Sequence, residues 1–316
     1  MKIEVASADL FVDERIHIWK NRLAPEGCSP AEAAKLPRAC VVTGIHGDEL
    51  EGQYVAYELA RRIEASRKSL AGIVDIYPAL NPLGVSTITR GVPLFDLDMN
   101  RVFPGTEDAS LTEHLVKAAV DDMAGASIAF DIHASNVFLR EIPQVRVNEI
   151  TAERLVPLAK RVNVDFVWVH SAATVLQSTL AYSLNDIGVP CLVVEMGVGM
   201  RITREYGDRL CDGIINLLCD LGIWKGQRPS GLRRPIVSTD GEVSFVNADA
   251  GGVFLPTARH ENMVHAGEEL GIIADALTGG VKEHVKSPTD GLLFTLREYP
   301  VVTPGSLLAR ILGGLA

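Results

Sequence analysis

The chain reads as an α/β protein, a mostly parallel sheet flanked by helices, followed by a smaller all-β domain. Three observations predict this. Between residues 38 and 222 short apolar runs alternate with amphipathic segments of helical period, the pattern of a parallel sheet covered on its faces. Residues 225–235 are rich in Gly, Pro and basic side chains and show no apolar period, which marks a linker. Beyond it the texture changes to brief β-type runs separated by glycines.

The strands predicted in the first part cover 39–43, 73–78, 127–132, 166–169 and 190–195. Helices fall between them at 51–66, 110–123, 151–162, 178–187 and 201–221. Ser110, with Glu113 three residues on, forms a capping-box pattern ahead of the apolar positions Leu115, Val116 and Ala119. The expected domains are 1–224, with its core at about 38–222, then the linker 225–235, then 236–316. Two pieces of the last domain repeat. Gly252-Val-Phe-Leu followed by Val264-His-Ala-Gly267 is echoed by Gly291-Leu-Leu-Phe followed by Val302-Thr-Pro-Gly305. Two such halves resemble the biotinyl/lipoyl-like barrel. Carriers of that fold expose a lysine at a hairpin tip, whereas the matching turn here, 275–280, has none and Lys282 is the nearest. The domain is therefore expected to be structural or to gate a cleft.

A chain of 316 residues can bury a large core, on the rough prior of ~150 residues per domain. Hydrophobic residues at 47% and charged residues at 22% are ordinary for a globular enzyme. The formal net charge of -10 argues against a nucleic-acid partner, which requires a basic face. Five cysteines form no CxxC pair, and Cys40 and Cys191 sit in apolar runs as small hydrophobes. With no signal-peptide pattern at the start and no apolar run of ~20 residues, a cytoplasmic location without membrane association is expected.

The most informative stretch is Thr43-Gly-Ile-His46-Gly-Asp-Glu49, where an apolar strand turns into a helix. Open α/β sheets place their sites at such carboxyl ends. His133 ends a second apolar run, so His46, Glu49 and His133 supply the two imidazoles and one carboxylate of a catalytic zinc shell. Asp131, two residues earlier, falls on the same strand face and serves as an outer acceptor for a ring. Glu195 closes a third run and precedes Met-Gly-Val-Gly, a good position for a general base. Arg101, in the loop Asp96-Leu-Asp-Met-Asn100-Arg101-Val-Phe-Pro-Gly105, offers a planar fork for a carboxylate, and Asn100 adds amide donors and an acceptor.

These pieces, with Asn81-Pro82 and Val194-Glu195-Met-Gly197, occur in a characteristic order from about residue 38 to 222. The chain is similar to the succinylglutamate desuccinylase/aspartoacylase family, the deacylase branch of the zinc carboxypeptidase-like fold. The C-terminal β domain is similar to the one that follows the catalytic domain there. The resemblance implies one zinc ion per chain on His46, Glu49 and His133, and Glu195 as the residue that activates water. It implies Asn100 and Arg101 as holders of the substrate carboxylate. An upstream arginine polarises the scissile carbonyl in the family; Arg90 is the candidate, with a longer spacing to Asp96. Met99 stands where leucine is usual.

The expected reaction is hydrolysis of the amide bond of a small N-acyl amino acid. A rival is a zinc carboxypeptidase acting on short peptides; a C-terminal barrel roofing the cleft would exclude long peptides and favour the deacylase. A second is a binding protein with a degenerate site. A further basic residue near the acyl end would indicate a dicarboxylate; Arg140, Arg201 and Arg204 are the candidates. Exposed edges of the β domain leave a homo-oligomer open.

Overall fold

A computed structural model describes residues 1–107, 110–171 and 176–314. The chain opens with a hairpin, β1 (Lys2–Asp9) and β2 (Arg15–Leu23), and a short helix α1 (Pro30–Ala33). It continues through β3 (Arg38–Val42), α2 (Glu51–Ala65), β4 (Ile73–Tyr77), α3 (Pro82–Thr87) and α4 (Leu111–Met123). Next come β5 (Ile128–Ala134), β6 (Leu139–Asn148), α5 (Ala152–Ala159), β7 (Phe166–His170), α6 (Leu180–Asp186), β8 (Cys191–Gly197) and α7 (Arg204–Asp220).

Strands run in the order β1-β2-β4-β3-β5-β8-β6, with β4, β3, β5 and β8 mutually parallel, β2 antiparallel to β1 and β4, and β6 antiparallel to β8 but parallel to β7. The parallel centre is buried on both faces, which is why its strands read as unbroken apolar runs. In β3, Ala39 and Val41 face one core with Val55, Leu59 and Ile63 of α2, while Cys40 and Val42 face another with Leu115 and Val116 of α4. The 4-residue spacing of Val55, Leu59 and Ile63 forms the buried stripe of α2. Ser110 and Glu113 form the expected capping box at the start of α4. Predicted helices and strands end within three residues of the observed ones. The five cysteines are free.

Besides the short helices α1 and α3, two parts of the sheet carried no prediction. The N-terminal hairpin extends the sheet past β4, and its buried Lys20 and half-buried Arg22 pair with Asp75 at 3.3 and 2.6 Å. The larger omission is β6. Leu139-Arg-Glu-Ile-Pro-Gln-Val-Arg-Val-Asn148 hides its strand character because Pro143 sits at a register shift and two polar residues, Glu141 and Gln144, are buried together.

Residues 225–235 form no helix or strand, yet they are pinned: Arg228 pairs with Asp220 at 2.8 Å and Asn163 accepts from the Arg233 backbone at 2.8 Å. The chain then forms β9 (Ile236–Thr239), β10 (Val243–Asn247), β11 (Gly252–Pro256), β12 (Met263–Val264), β13 (Glu269–Ala274), β14 (Val281–Lys286), β15 (Gly291–Arg297), β16 (Val301–Val302) and β17 (Leu307–Leu312). The two sequence repeats are the triplets β11-β12-β13 and β15-β16-β17. This C-terminal β region continues the main sheet: β9 pairs with β7, and β15 pairs with the first half of β6. A second sheet, β14-β13-β11-β16, covers it. No helix among the described residues is long and apolar enough to cross a membrane.

Candidate metal centre and active cleft

The turn after β3 places the first pair of ligands. Gly44 adopts φ of 65°, a conformation that glycine enters without strain. Gly47 lies against the backbone of α3, where a Cβ would stand 1.9 Å from the Gly84 carbonyl carbon. That close approach folds the loop back so that His46 and Glu49 face the end of β5. There His133 projects from the face that also carries Asp131, and Glu195 lies directly beside it on β8.

His46, Glu49 and His133 are all buried, and one ligand atom from each lies within 4.8 Å of the others. Glu49 bridges the two rings: its Oε1 is 2.7 Å from His46 Nδ1 and its Oε2 is 2.9 Å from His133 Nδ1. Oε2 also accepts from the Ala134 backbone at 3.1 Å. The far nitrogens have carboxylate neighbours, His46 Nε2 at 3.0 Å from Asp98 and His133 Nε2 at 3.0 Å from Asp131. With Nε2–H given to Asp98, His46 Nδ1 presents a lone pair, and it forms no hydrogen bond despite the nearby Glu49 oxygen. Two acceptors held face to face in a buried site call for a cation between them. Two imidazoles and one carboxylate, with Asp98 bonded to one ring and Asp131 3.0 Å from the other, fit a divalent metal such as zinc.

Without a cation the cluster strains toward proton sharing. Burial works against charge on His46, but Asp98 and Glu49 prevail and raise its pKa above the ordinary histidine value. His133 is likewise raised well above it by Asp131 and Glu49, against burial. Burial pushes Glu49 up, yet both histidines hold it below the usual carboxylate range.

A cavity of about 470 Å³ opens on this cluster. His46, His133, Glu195, Arg90, Asn100 and Arg101 all line it, while Glu49 lies beneath. The structure thus brings the residues singled out in the sequence to one cleft. Arg90 donates to Glu49 at 3.1 Å and to Asp98 at 3.2 Å, so its guanidinium sits beside the cluster despite the longer spacing. Asn100 accepts from the Leu180 backbone at 3.0 Å, and Arg101 is half exposed with one nitrogen bonded to the Asn100 carbonyl. Glu195 is pushed up to about 7 by burial, opposed chiefly by Arg146 at 3.2 Å.

Asp98 and Arg146 had been assigned no role. Asp98 was legible as part of its loop, and a carboxylate two residues before Asn100 is the available signal. Arg146 had none, because β6 itself was hidden. It bridges Glu195 and Glu141, and Glu141 in turn pairs with Arg310 of β17. Arg140, Arg201 and Arg204 do not line the cleft; Arg140 pairs with Glu298 instead. Nor do residues 236–314 line it. The C-terminal region buttresses the site from behind, through Arg310 and through Asp240, and does not roof it.

Residues 35–220 match the family model described as the succinylglutamate desuccinylase/aspartoacylase catalytic domain. The chain belongs to that family. Within reach of it, the N-alpha-acetyl-L-2,4-diaminobutyric acid deacetylase of Halomonas elongata is 25% identical over 287 residues, covering 87% of this chain and 82% of that protein. A crystal structure of succinylglutamate desuccinylase/aspartoacylase from Rhodobacter sphaeroides superposes with a TM-score of 0.80 at 22% identity, covering 98% of this chain and 94% of that one. The product-bound ectoine utilization protein EutE of Ruegeria pomeroyi gives 0.77 at 21% identity, covering 95% and 89%. These structural likenesses establish the mixed α/β fold, with its mostly parallel central sheet and C-terminal β region.

Proposed function

We propose that this chain is a zinc-dependent deacylase that hydrolyses the amide bond of a small N-acyl amino acid. The observation that carries the reading is one cleft in which Glu195, a carboxyl poised near neutrality, stands beside the His46–Glu49–His133 cluster. Family membership favours deacylation over stepwise peptide cleavage, and the complete ligand set speaks against a degenerate binding protein.

His46, Glu49 and His133 would hold the ion. When bound, it supplies the Lewis acidity that makes water nucleophilic near neutral pH. Glu195 takes a proton from water as its oxygen bonds to the carbonyl carbon, and later returns that proton to the leaving nitrogen as the C–N bond breaks. Arg90 faces the carbonyl oxygen as charge develops there. Arg101 and Asn100 grip the substrate carboxylate, Arg101 through its fork and Asn100 through its amide nitrogen, since the amide oxygen is committed to α6. Glu141, Arg146 and Arg310 hold Glu195 in place from the side of the β region. On the same reading residues 236–316 are a biotinyl/lipoyl-like domain with a supporting role, and the free cysteines suit a reducing cytoplasm.

The test is a panel of N-acyl amino acids offered to purified protein with and without a chelator, following release of the free amino acid. Metal-dependent release supports the reading. Removal of C-terminal residues from peptides, with N-acyl amino acids left intact, would replace it with the carboxypeptidase.

A further inference from the structure

The cleft extends well past the metal cluster. From β8 it crosses β6 to β7, two strand spacings or about 10 Å. Register places Glu195 opposite Gln144, Arg146 beside Trp168 and Asn148 beside His170, so these side chains share one face. His170 lines the cleft at this far end. Its Nδ1 is 3.1 Å from Asp240, which also accepts from the Trp168 indole at 2.8 Å and the Ser171 backbone at 2.9 Å. Its Nε2 is buried and has no hydrogen-bond partner among the described residues.

The surroundings define what that nitrogen takes. Val147, Ile150, Leu155 and Leu176 make this end of the cleft apolar. Two nearby amides are committed elsewhere: Asn148 donates to the Ser171 carbonyl and accepts from Ile150, and Asn185 bonds the backbone of Ala181 and Cys191. Burial and the neighbouring Arg146 charge hold His170 below the ordinary histidine value, so the ring is neutral at physiological pH. With Nδ1–H directed at Asp240, Nε2 is an acceptor. A carboxylate there would meet a lone pair, and an ammonium would enter the field of Arg146 and Arg310.

We infer that His170, fixed by Asp240, is a specificity subsite for a neutral hydrogen-bond donor, a hydroxyl or amide N–H, at the tip of an apolar arm of the substrate. The inference builds on the deacylase reading and names the substrate class within it.

The experiment uses the metal-loaded full chain and two matched series whose arms end in methyl, hydroxyl, ammonium or carboxylate. One holds the N-acetyl derivatives of norleucine, 5-hydroxynorvaline, ornithine and 2-aminoadipate. The other holds alanine acylated with pentanoyl, 4-hydroxybutanoyl, 4-aminobutanoyl or glutaryl groups. In one series the hydroxyl member should exceed the methyl member in kcat/KM by about tenfold, the worth of one well-made hydrogen bond, with the difference in KM. His170→Phe, which keeps the ring stack on Trp168 but lacks the acceptor, should collapse that ratio to about one. His170→Gln, whose amide oxygen reaches the same position, should restore part of it. A merely structural role would lower both members together and leave the ratio intact, which overturns the proposal. So does a wild-type preference for methyl, ammonium or carboxylate arms. Failure to hydrolyse any member would refute the deacylase reading instead; calorimetric dissociation constants for the same compounds then decide the subsite by the same hydroxyl-to-methyl ratio.

Discussion

Replacing Glu195 with glutamine separates chemistry from stability in opposite directions. The substitution keeps the shape of the side chain and removes its charge. As general base, Glu195 should be worth on the order of 10²–10⁴-fold in kcat, with metal content unchanged. Its stability effect follows from the raised pKa. A carboxyl with an unfolded value near 4.5 and a folded value of about 7 stabilises the native state fully below 4.5 and loses that contribution as pH rises through 7. Ionising it in the folded chain is thus opposed by roughly 3 kcal/mol. Glutamine carries no such cost. In chelator-treated protein the variant should therefore gain on the wild type by up to about 3 kcal/mol between pH 4.5 and 8.5, or roughly 6 °C in Tm for a chain of this size. Calorimetric melting across that range is the assay. Parallel Tm–pH curves for the two proteins would refute the claim that burial dominates at Glu195, and full activity in the variant would remove it from the mechanism. With the metal bound, the positive ion lowers the pKa, so the acid limb of kcat/KM should lie below 7.

Other expectations concern its neighbours. His46→Ala or His133→Ala should drop bound metal below about 0.1 per chain, measured by elemental analysis, and abolish turnover with it. Because binding displaces protons from raised histidines, metal affinity should fall steadily as pH is lowered from 8 to 6, which a competitive chelator titration would show. Arg101→Ala should cost about 10²-fold in kcat/KM while metal content stays near one per chain; equal loss for substrates lacking a free carboxylate would remove its assigned role. Arg310→Met leaves the buried Glu141 short of a partner and should destabilise the chain by about 3 kcal/mol, partly relieved in the double variant with Glu141→Gln.

The central strands were legible because their role is simple. Being covered on both faces, β3, β5 and β8 must be apolar throughout, and the residues that break the pattern at their ends, His46, His133 and Glu195, are those that face the cleft. β6 defied the same logic. It lies between the parallel sheet and the C-terminal strands, and its Glu141 and Gln144 are buried because they pair with each other, with the half-buried Arg146 and with Arg310. Such a network has no local signature, since the partner of Glu141 lies in a strand beginning at Leu307.

Local chemistry alone determined the alternation of strands and helices, the β-rich end and the candidates proposed here as metal ligands and acid–base group, because periodicity and side-chain type are properties of short segments. Tertiary structure decided that Asp98 joins Asp131 beside the rings, which arginine meets Glu195, and that the C-terminal β region supports the cleft from behind. Those outcomes depend on strands adjacent in space and distant along the chain, where charge pairing in a buried setting selects one arrangement.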